Sequence, residues 1–213
     1  MNTKLTHNSS LRRQAARGFT LIEMIGVLAV IAILAALLIP KVFSAINQAR
    51  VNGVTVSLDT VKTALVDHYG KYGNLALVNT NGTSVPLNIL SSTPYTGYDT
   101  NVLMVEQLLD KPFAAAIATS ATIEICTNGI DGGAVGQYKL DGTTIATATA
   151  QYIVEARLDG VSAQDAKDLN DRIDGPTLSF PAGSTIGSVG DHAGRVEYAS
   201  GSTTTVYIYL TSR

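Results

Sequence analysis

Arg17-Gly18-Phe19-Thr20-Leu21-Ile22-Glu23, continued by the uncharged run from Met24 to Pro40, decides how the rest of the chain is read. Between Gly18 and Pro40 the only ionisable side chain is Glu23. Phe19 to Pro40 would be about 33 Å long as a helix at roughly 1.5 Å per residue. A bilayer's hydrocarbon core is about 30 Å thick, so the run fits one crossing. Ahead of it stand Lys4, Arg12, Arg13 and Arg17, with no acid among residues 1–18. Basic flanks stay on the cytoplasmic side, so everything after the run is expected to be exported.

An ordinary secretory signal has its small-residue cut site after the apolar region. Here the small residue, Gly18, comes before it. A cut after Gly18 would remove only the charged leader and leave the membrane helix on the mature protein. An uncleaved signal anchor is the plain alternative.

The string GFTLIEMIGVLAVIAILAALLIPKV, residues 18–42, resembles the N-terminal segment of type IV pilins and of the pseudopilins of type II secretion. The resemblance extends over about residues 12–50. Gly18, Phe19, Thr20, Leu21, Glu23 and Pro40 fall where that family has them. The resemblance implies that a prepilin peptidase cuts after Gly18 and methylates the new N-terminal Phe19. The C-terminal three quarters resemble the family in layout only.

A carboxylate at the centre of a membrane helix costs roughly 2.5–3.5 kcal/mol on insertion-type scales. Glu23 sits near one end of the span, where it could simply reach the headgroups or favour the positive end of the helix dipole. Packed among other helices it cannot reach water and needs a cation. The resemblance implies that the cation is the α-amino group of Phe19 on another subunit, so that Glu23 and Phe19 set axial register during assembly. Pro40 has no amide hydrogen and clashes with the turn before it, so a kink or loosening between Ala36 and Pro40 is expected. By resemblance that feature lets a filament extend.

Charge is divided unevenly. The leader carries four basic side chains, and the chain after it has 11 basic against 17 acidic, about −6. Nucleic-acid binding usually shows as a basic stripe, and none is present. The one cysteine, Cys126, cannot form an internal disulfide. Many pilins close a C-terminal loop with such a bond, so the chain departs from that pattern. Cys126 lies in the alternating stretch Ile123-Glu124-Ile125-Cys126 and reads as a small core residue.

Beyond Lys41 the helix is expected to continue. Val54, Leu58, Val61, Leu65, Tyr69 and Tyr72 recur at three- and four-residue steps and share one face. Asp67 and Lys71 are spaced for an i,i+4 pair, and Gly70 and Gly73 are expected to end the helix. Residues 74–100 read as a long loop with at most short structure. Val102 to Leu109 reads as a short helix stopped by Pro112. Strands are expected at about 121–126, 135–140, 143–148 and 151–157, with Asp141-Gly142 as a hairpin turn. Ser162 to Ile173 reads as a helix capped by Ser162 and Asp165. Gly194–Ala199 and Thr203–Leu210 close the chain as strands around Ser200-Gly201.

The expected fold is therefore α+β: a long N-terminal helix, membrane half then amphipathic half, packed on a C-terminal antiparallel sheet, pilin-like. Its expected segments are a leader at 1–18, a transmembrane or filament-core helix at 19–40, an amphipathic half at 41–73 and a globular head at 74–213.

Reactive chemistry is sparse. His7, His68 and His192 form no cluster with metal-ligand spacing. Glycines 129, 132, 133 and 136 lack the Lys-Ser/Thr of a phosphate cradle. Asp168, Asp171 and Asp174 are three apart, which suits a solvated acidic face or, as some relatives of the resembled family do, a calcium ion. No nucleophile or acid–base pair stands out, so an enzyme is not expected, and no cofactor other than that calcium is.

The expected function is a structural subunit of a type IV pilus-like filament. A type II secretion pseudopilin is the first choice and an adhesive or motility pilin the second. A membrane-tethered binding domain that never polymerises is a rival of a different class. The implied partners are further copies or related pilins, prepilin peptidase, an inner-membrane assembly platform with its cytoplasmic ATPase, and the bacterial inner membrane itself. The C-terminal domain would lie in the periplasm or outside the cell.

Overall fold

The computed structural model describes residues 18–80, 83–87, 94–127, 138–144, 152–178 and 184–213. The chain divides into two compact units, Met1–Ser44 and Ala45–Arg213. A long N-terminal helix is followed by a C-terminal antiparallel sheet, the α+β arrangement expected.

Helix α1 spans Leu21–Tyr72. Its first intrahelical bond runs from the Met24 N–H to the Thr20 carbonyl at 3.2 Å, which makes Thr20 the N-cap. At the far end Gly73 takes φ +66°, and its N–H closes on the Tyr69 carbonyl at 2.7 Å. That left-handed residue is the usual helix stop. Gly70, expected to share this role, is still helical. The helix runs on unbroken through Pro40.

Residues 18–50 are exposed throughout. From Val51 onward a stripe is buried: Val51, Val54, Leu58, Val61, Ala64, Leu65 and His68. The three- and four-residue spacing puts this stripe on one side of the helix. Tyr69 and Tyr72 continue it only half-buried. The expected Asp67–Lys71 pair is replaced by a contact in which the Lys71 ammonium lies 5.1 Å from the centre of the Tyr72 ring.

The loop expected at 74–100 carries a small hairpin, β1 (Leu77–Thr80) with β2 (Thr83–Pro86), and the two-residue strand β3 (Tyr95–Thr96). The helix expected over Val102–Leu109 starts earlier and stops sooner. A π-helical turn, Asp99–Leu103, is followed by turns that end at Gln107, whose φ is +60°. Buried Asp99 explains the early start, because its carboxylate accepts the Phe113 N–H at 2.8 Å and ties the turn to the following loop.

Strands β4 (Ser120–Thr127) and β5 (Tyr152–Ser162), helix α2 (Ala163–Ile173), and strands β6 (Val196–Tyr198) and β7 (Thr203–Ser212) complete the fold. The five-stranded sheet has the order β3-β4-β5-β7-β6, and every pair is antiparallel. One face carries Ile123, Ile125, Val154, Ala156, Leu158, Val206 and Ile208 into the core that the α1 stripe shares. Helix α2 adds Ala166 and Leu169 to that core. Its N-cap is Ser162, whose hydroxyl accepts the Asp165 N–H at 3.2 Å and donates to Asp165 Oδ2 at 2.9 Å.

Two expected strands are corrected where they are described. Residues 138–140 and 143–144 join no ladder. Asp141 Oδ1 accepts the N–H groups of both Thr143 and Thr144, at 2.9 and 2.7 Å, so these amides serve a tight side-chain turn. The remainder of both strands, the glycine-rich stretch 129–136 and the leader to Arg17 lie outside the described residues.

Candidate processing and assembly site

The start of α1 is held by a reciprocal bond set. Glu23 Oε2 accepts the Thr20 N–H at 2.8 Å and the Thr20 hydroxyl at 2.7 Å. The Glu23 N–H is directed at Thr20 Oγ1 at 3.3 Å. This is a capping box, in which residues at the N-cap and three positions later satisfy each other's orphan amides. Thr20-Leu21-Ile22-Glu23 carries its signature, and a search for Ser/Thr-x-x-Glu ahead of an apolar run would have found it. Glu23 Oε1 has no hydrogen-bond partner among the described residues. The box thus occupies one carboxylate oxygen and leaves the other open.

Phe19 is 79 % exposed, immediately before the cap. A side chain added at Gly18 would meet nothing within 4 Å. Packing among the described residues therefore makes no demand for glycine there. Among the described residues every position from Gly18 to Arg50 is exposed, including Ile22, Leu28, Ile33, Leu37 and Phe43. A continuous exposed apolar surface of this size marks a site of interaction with a membrane or with another protein. The helix contains a stretch long and apolar enough to cross a membrane. Pro40 lies within this exposed stretch, where the amide it lacks leaves the Ala36 carbonyl without its usual helical donor.

The three aspartates weighed as calcium ligands each have other work. Asp168 accepts from Gln164 Nε2 at 2.7 Å, and Asp171 is paired with Lys167. Asp174 Oδ2 accepts the N–H groups of Arg195 and Val196, at 2.8 and 2.9 Å, tying the end of α2 to β6. Among the described residues no group of three or more His, Cys, Asp or Glu side chains is placed to hold a metal ion. Cys126 is buried, as its alternating context implied.

Sequence reasoning missed His68. It is fully buried, and its Nδ1 lies 2.8 Å from Glu106 Oε2. Glu106 Oε1 accepts the Asn79 N–H at 3.1 Å, so one carboxylate joins α1 to the β1–β2 hairpin. Tyr72 and Tyr98 flank the imidazole with ring centres 5.0 and 5.8 Å away. Every polar partner here is internal, which makes the group a structural clamp.

Comparison with known proteins bears on the N-terminal segment. Residues 13–39 match the family model described as the prokaryotic N-terminal methylation motif. This is the prepilin-type signal of type IV pilins and pseudopilins, and it supports a pilin-like structural subunit processed by prepilin peptidase. No curated protein and no solved structure matches the chain.

Proposed function

We propose that this protein is a filament subunit of the type IV pilus-like class, anchored in the bacterial inner membrane until a cytoplasmic ATPase and an inner-membrane platform assemble it. The observation that carries this reading is the methylation motif at 13–39 set on an apolar helix that is exposed among the described residues. Prepilin peptidase would cut between Gly18 and Phe19 and methylate Phe19. Lipid would cover the helix first, and the helices of neighbouring subunits afterwards. Glu23 Oε1 would then take the α-amine of another subunit's Phe19, while Oε2 keeps its own helix capped. The Pro40 turn would give the filament core a place to bend or extend.

Within this class we read the chain as a type II secretion pseudopilin serving protein export. The single Cys126 supports this, since an internal disulfide cannot brace a C-terminal loop for life outside the cell. On the same reading the leader is 1–18, the filament-core helix 19–40, the amphipathic half 41–73 and the head 74–213. No catalytic step is assigned to it.

Intact mass and N-terminal sequencing of the protein from membranes test the reading. The expected mature chain begins at N-methylated Phe19. Gly18→Trp should accumulate full-length precursor in the membrane. A native chain that keeps Met1, or that begins beyond Pro40, would sink the assignment.

A further inference from the structure

From Gly18 to Asp59 the sequence holds four charged side chains: Glu23, Lys41, Arg50 and Asp59. Glu23, Lys41 and Asp59 follow one another at intervals of eighteen residues. All three belong to α1, and all three are exposed. An α-helix completes about five turns in eighteen residues, so these charges recur on one line of the helix at steps of about 27 Å. Their signs alternate along it. Arg50 stands apart. It is four residues from buried Val54, on the core side, and its guanidinium donates to the Ala116 carbonyl of the same chain.

Asp59 is open to a partner. Its side chain is 77 % exposed, and its ion pair with Lys62 is long, at 3.9 Å. Lys41 makes no ion pair among the described residues. Around Asp59 the side of α1 opposite the buried stripe exposes Val56, Thr60, Thr63 and Val66. The hydroxyls of Thr60 and Thr63 turn back onto the Val56 and Asp59 carbonyls, at 3.1 and 3.0 Å. This side therefore offers a neighbour mainly methyl groups, and it follows directly on the exposed apolar residues 18–50.

We propose that α1 packs beside α1 of a second copy, parallel and displaced by eighteen residues, with Lys41 of one copy paired to Asp59 of the next. The proposal rests on the filament reading and adds to it the axial step between two subunits. Copies inserted in one membrane share a direction, which makes their helices parallel. At zero displacement Glu23, Lys41 and Asp59 would each face its own kind, and like charges repel. A displacement of eighteen residues replaces these repulsions with two attractions. Lys41 meets Asp59, and Glu23 of the same copy comes level with its neighbour's Lys41. Apolar contact supplies most of the association, and charge selects the register. The α-amine of Phe19 and Glu23 are only four residues apart, so their pairing uses a different neighbour, at a shorter step.

The test uses sheared filaments of the full-length chain. Ala45 and Thr63 are also eighteen residues apart and exposed, one turn beyond Lys41 and Asp59. A chain carrying both Ala45→Cys and Thr63→Cys should give long ladders of linked subunits with a short bis-maleimide. Either substitution alone should give no linked pairs; buried Cys126 is common to every variant. Linked pairs from one substitution alone, or no linkage from the two together, would overturn the step. Charge gives a second measurement. Lys41→Glu and Asp59→Lys should each lower filament yield about tenfold, and the two combined should yield about fivefold more than either alone. Yields that ignore the single changes, or a combination no better than its parts, would also overturn it. Filaments that fail these tests remove the step and leave the filament reading standing. Absence of filaments from the unsubstituted chain removes both.

Discussion

Glu23 does two jobs with separate oxygens on this reading, and substitution can separate them. Glu23→Gln keeps an acceptor for Thr20 and loses the charge; Glu23→Ala loses both. We expect both variants to insert and to be cut after Gly18, because the leader is untouched. Both should fail to give filaments, since an unpaired buried charge can cost about 3–5 kcal/mol. Sheared-filament yield and membrane cross-linking measure this, and normal filaments from Glu23→Gln would reduce Glu23 to a helix cap. Glu23 was legible as a candidate because a lone charge in an apolar run stands out. His68 was not legible, because its partner Glu106 lies 38 residues further on and only the fold brings them together. Glu106→Ala should leave His68 Nδ1 without its carboxylate partner and cost about 1–3 kcal/mol in denaturant unfolding.

Among the elements, periodicity was readable wherever one face is buried and the other wet. The Val54–Leu65 stripe and the Ser162 cap of α2 are of this kind, and Ser162→Ala should cost about 1 kcal/mol. Strand β5 is legible over 151–157 although Ile153, Val154, Glu155 and Ala156 are all buried without alternation, and its continuation to Ser162 is not. Its register with β7 also shifts twice, between Val154 and Glu155 and between Leu158 and Val161. Gly160 occupies the second shift at φ +69°, and a Cβ there would fall 2.3 Å from Thr119 Oγ1. Gly160→Ala should therefore destabilise by about 1–3 kcal/mol, with the loss visible as a lower thermal midpoint. The strands expected at 135–140 and 143–148 fail, where they are described, for the opposite reason. The residues have strand-like composition, but Asp141 takes the amides a ladder would need.

For the molecule as a whole, the compact unit Ala45–Arg213 holds every buried residue of the main core. A fragment covering 45–213 should be soluble and melt cooperatively; aggregation would mean that the unit boundary is misplaced. Its stability should peak at mildly acidic pH. Burial pushes Asp159 up, but bonds from Thr205, Arg157 and Ser120 and the Arg157 charge hold it below its ordinary 3.8. That contribution is present above the unfolded value and lost as pH falls. Glu197 on β6 is raised, by burial first and the Glu155 charge second, so its contribution is complete below its ordinary 4.5 and lost as pH rises through about 8. Thermal midpoints across this range would show the two slopes, and a midpoint that climbs steadily to pH 8 would contradict them. The order of the strands also bears on how the protein is made. Strand β7, which follows both in the chain, lies between β5 and β6, and among the described residues β6 pairs with no other strand. Until residues 203–212 emerge from the ribosome, the sheet lacks the strand that joins its two parts. The apolar helix, by contrast, emerges well before them. On the proposed reading, insertion can therefore begin while the sheet is still a threadable chain, and the fold that would jam a translocation channel cannot close before residues 203–212 are made.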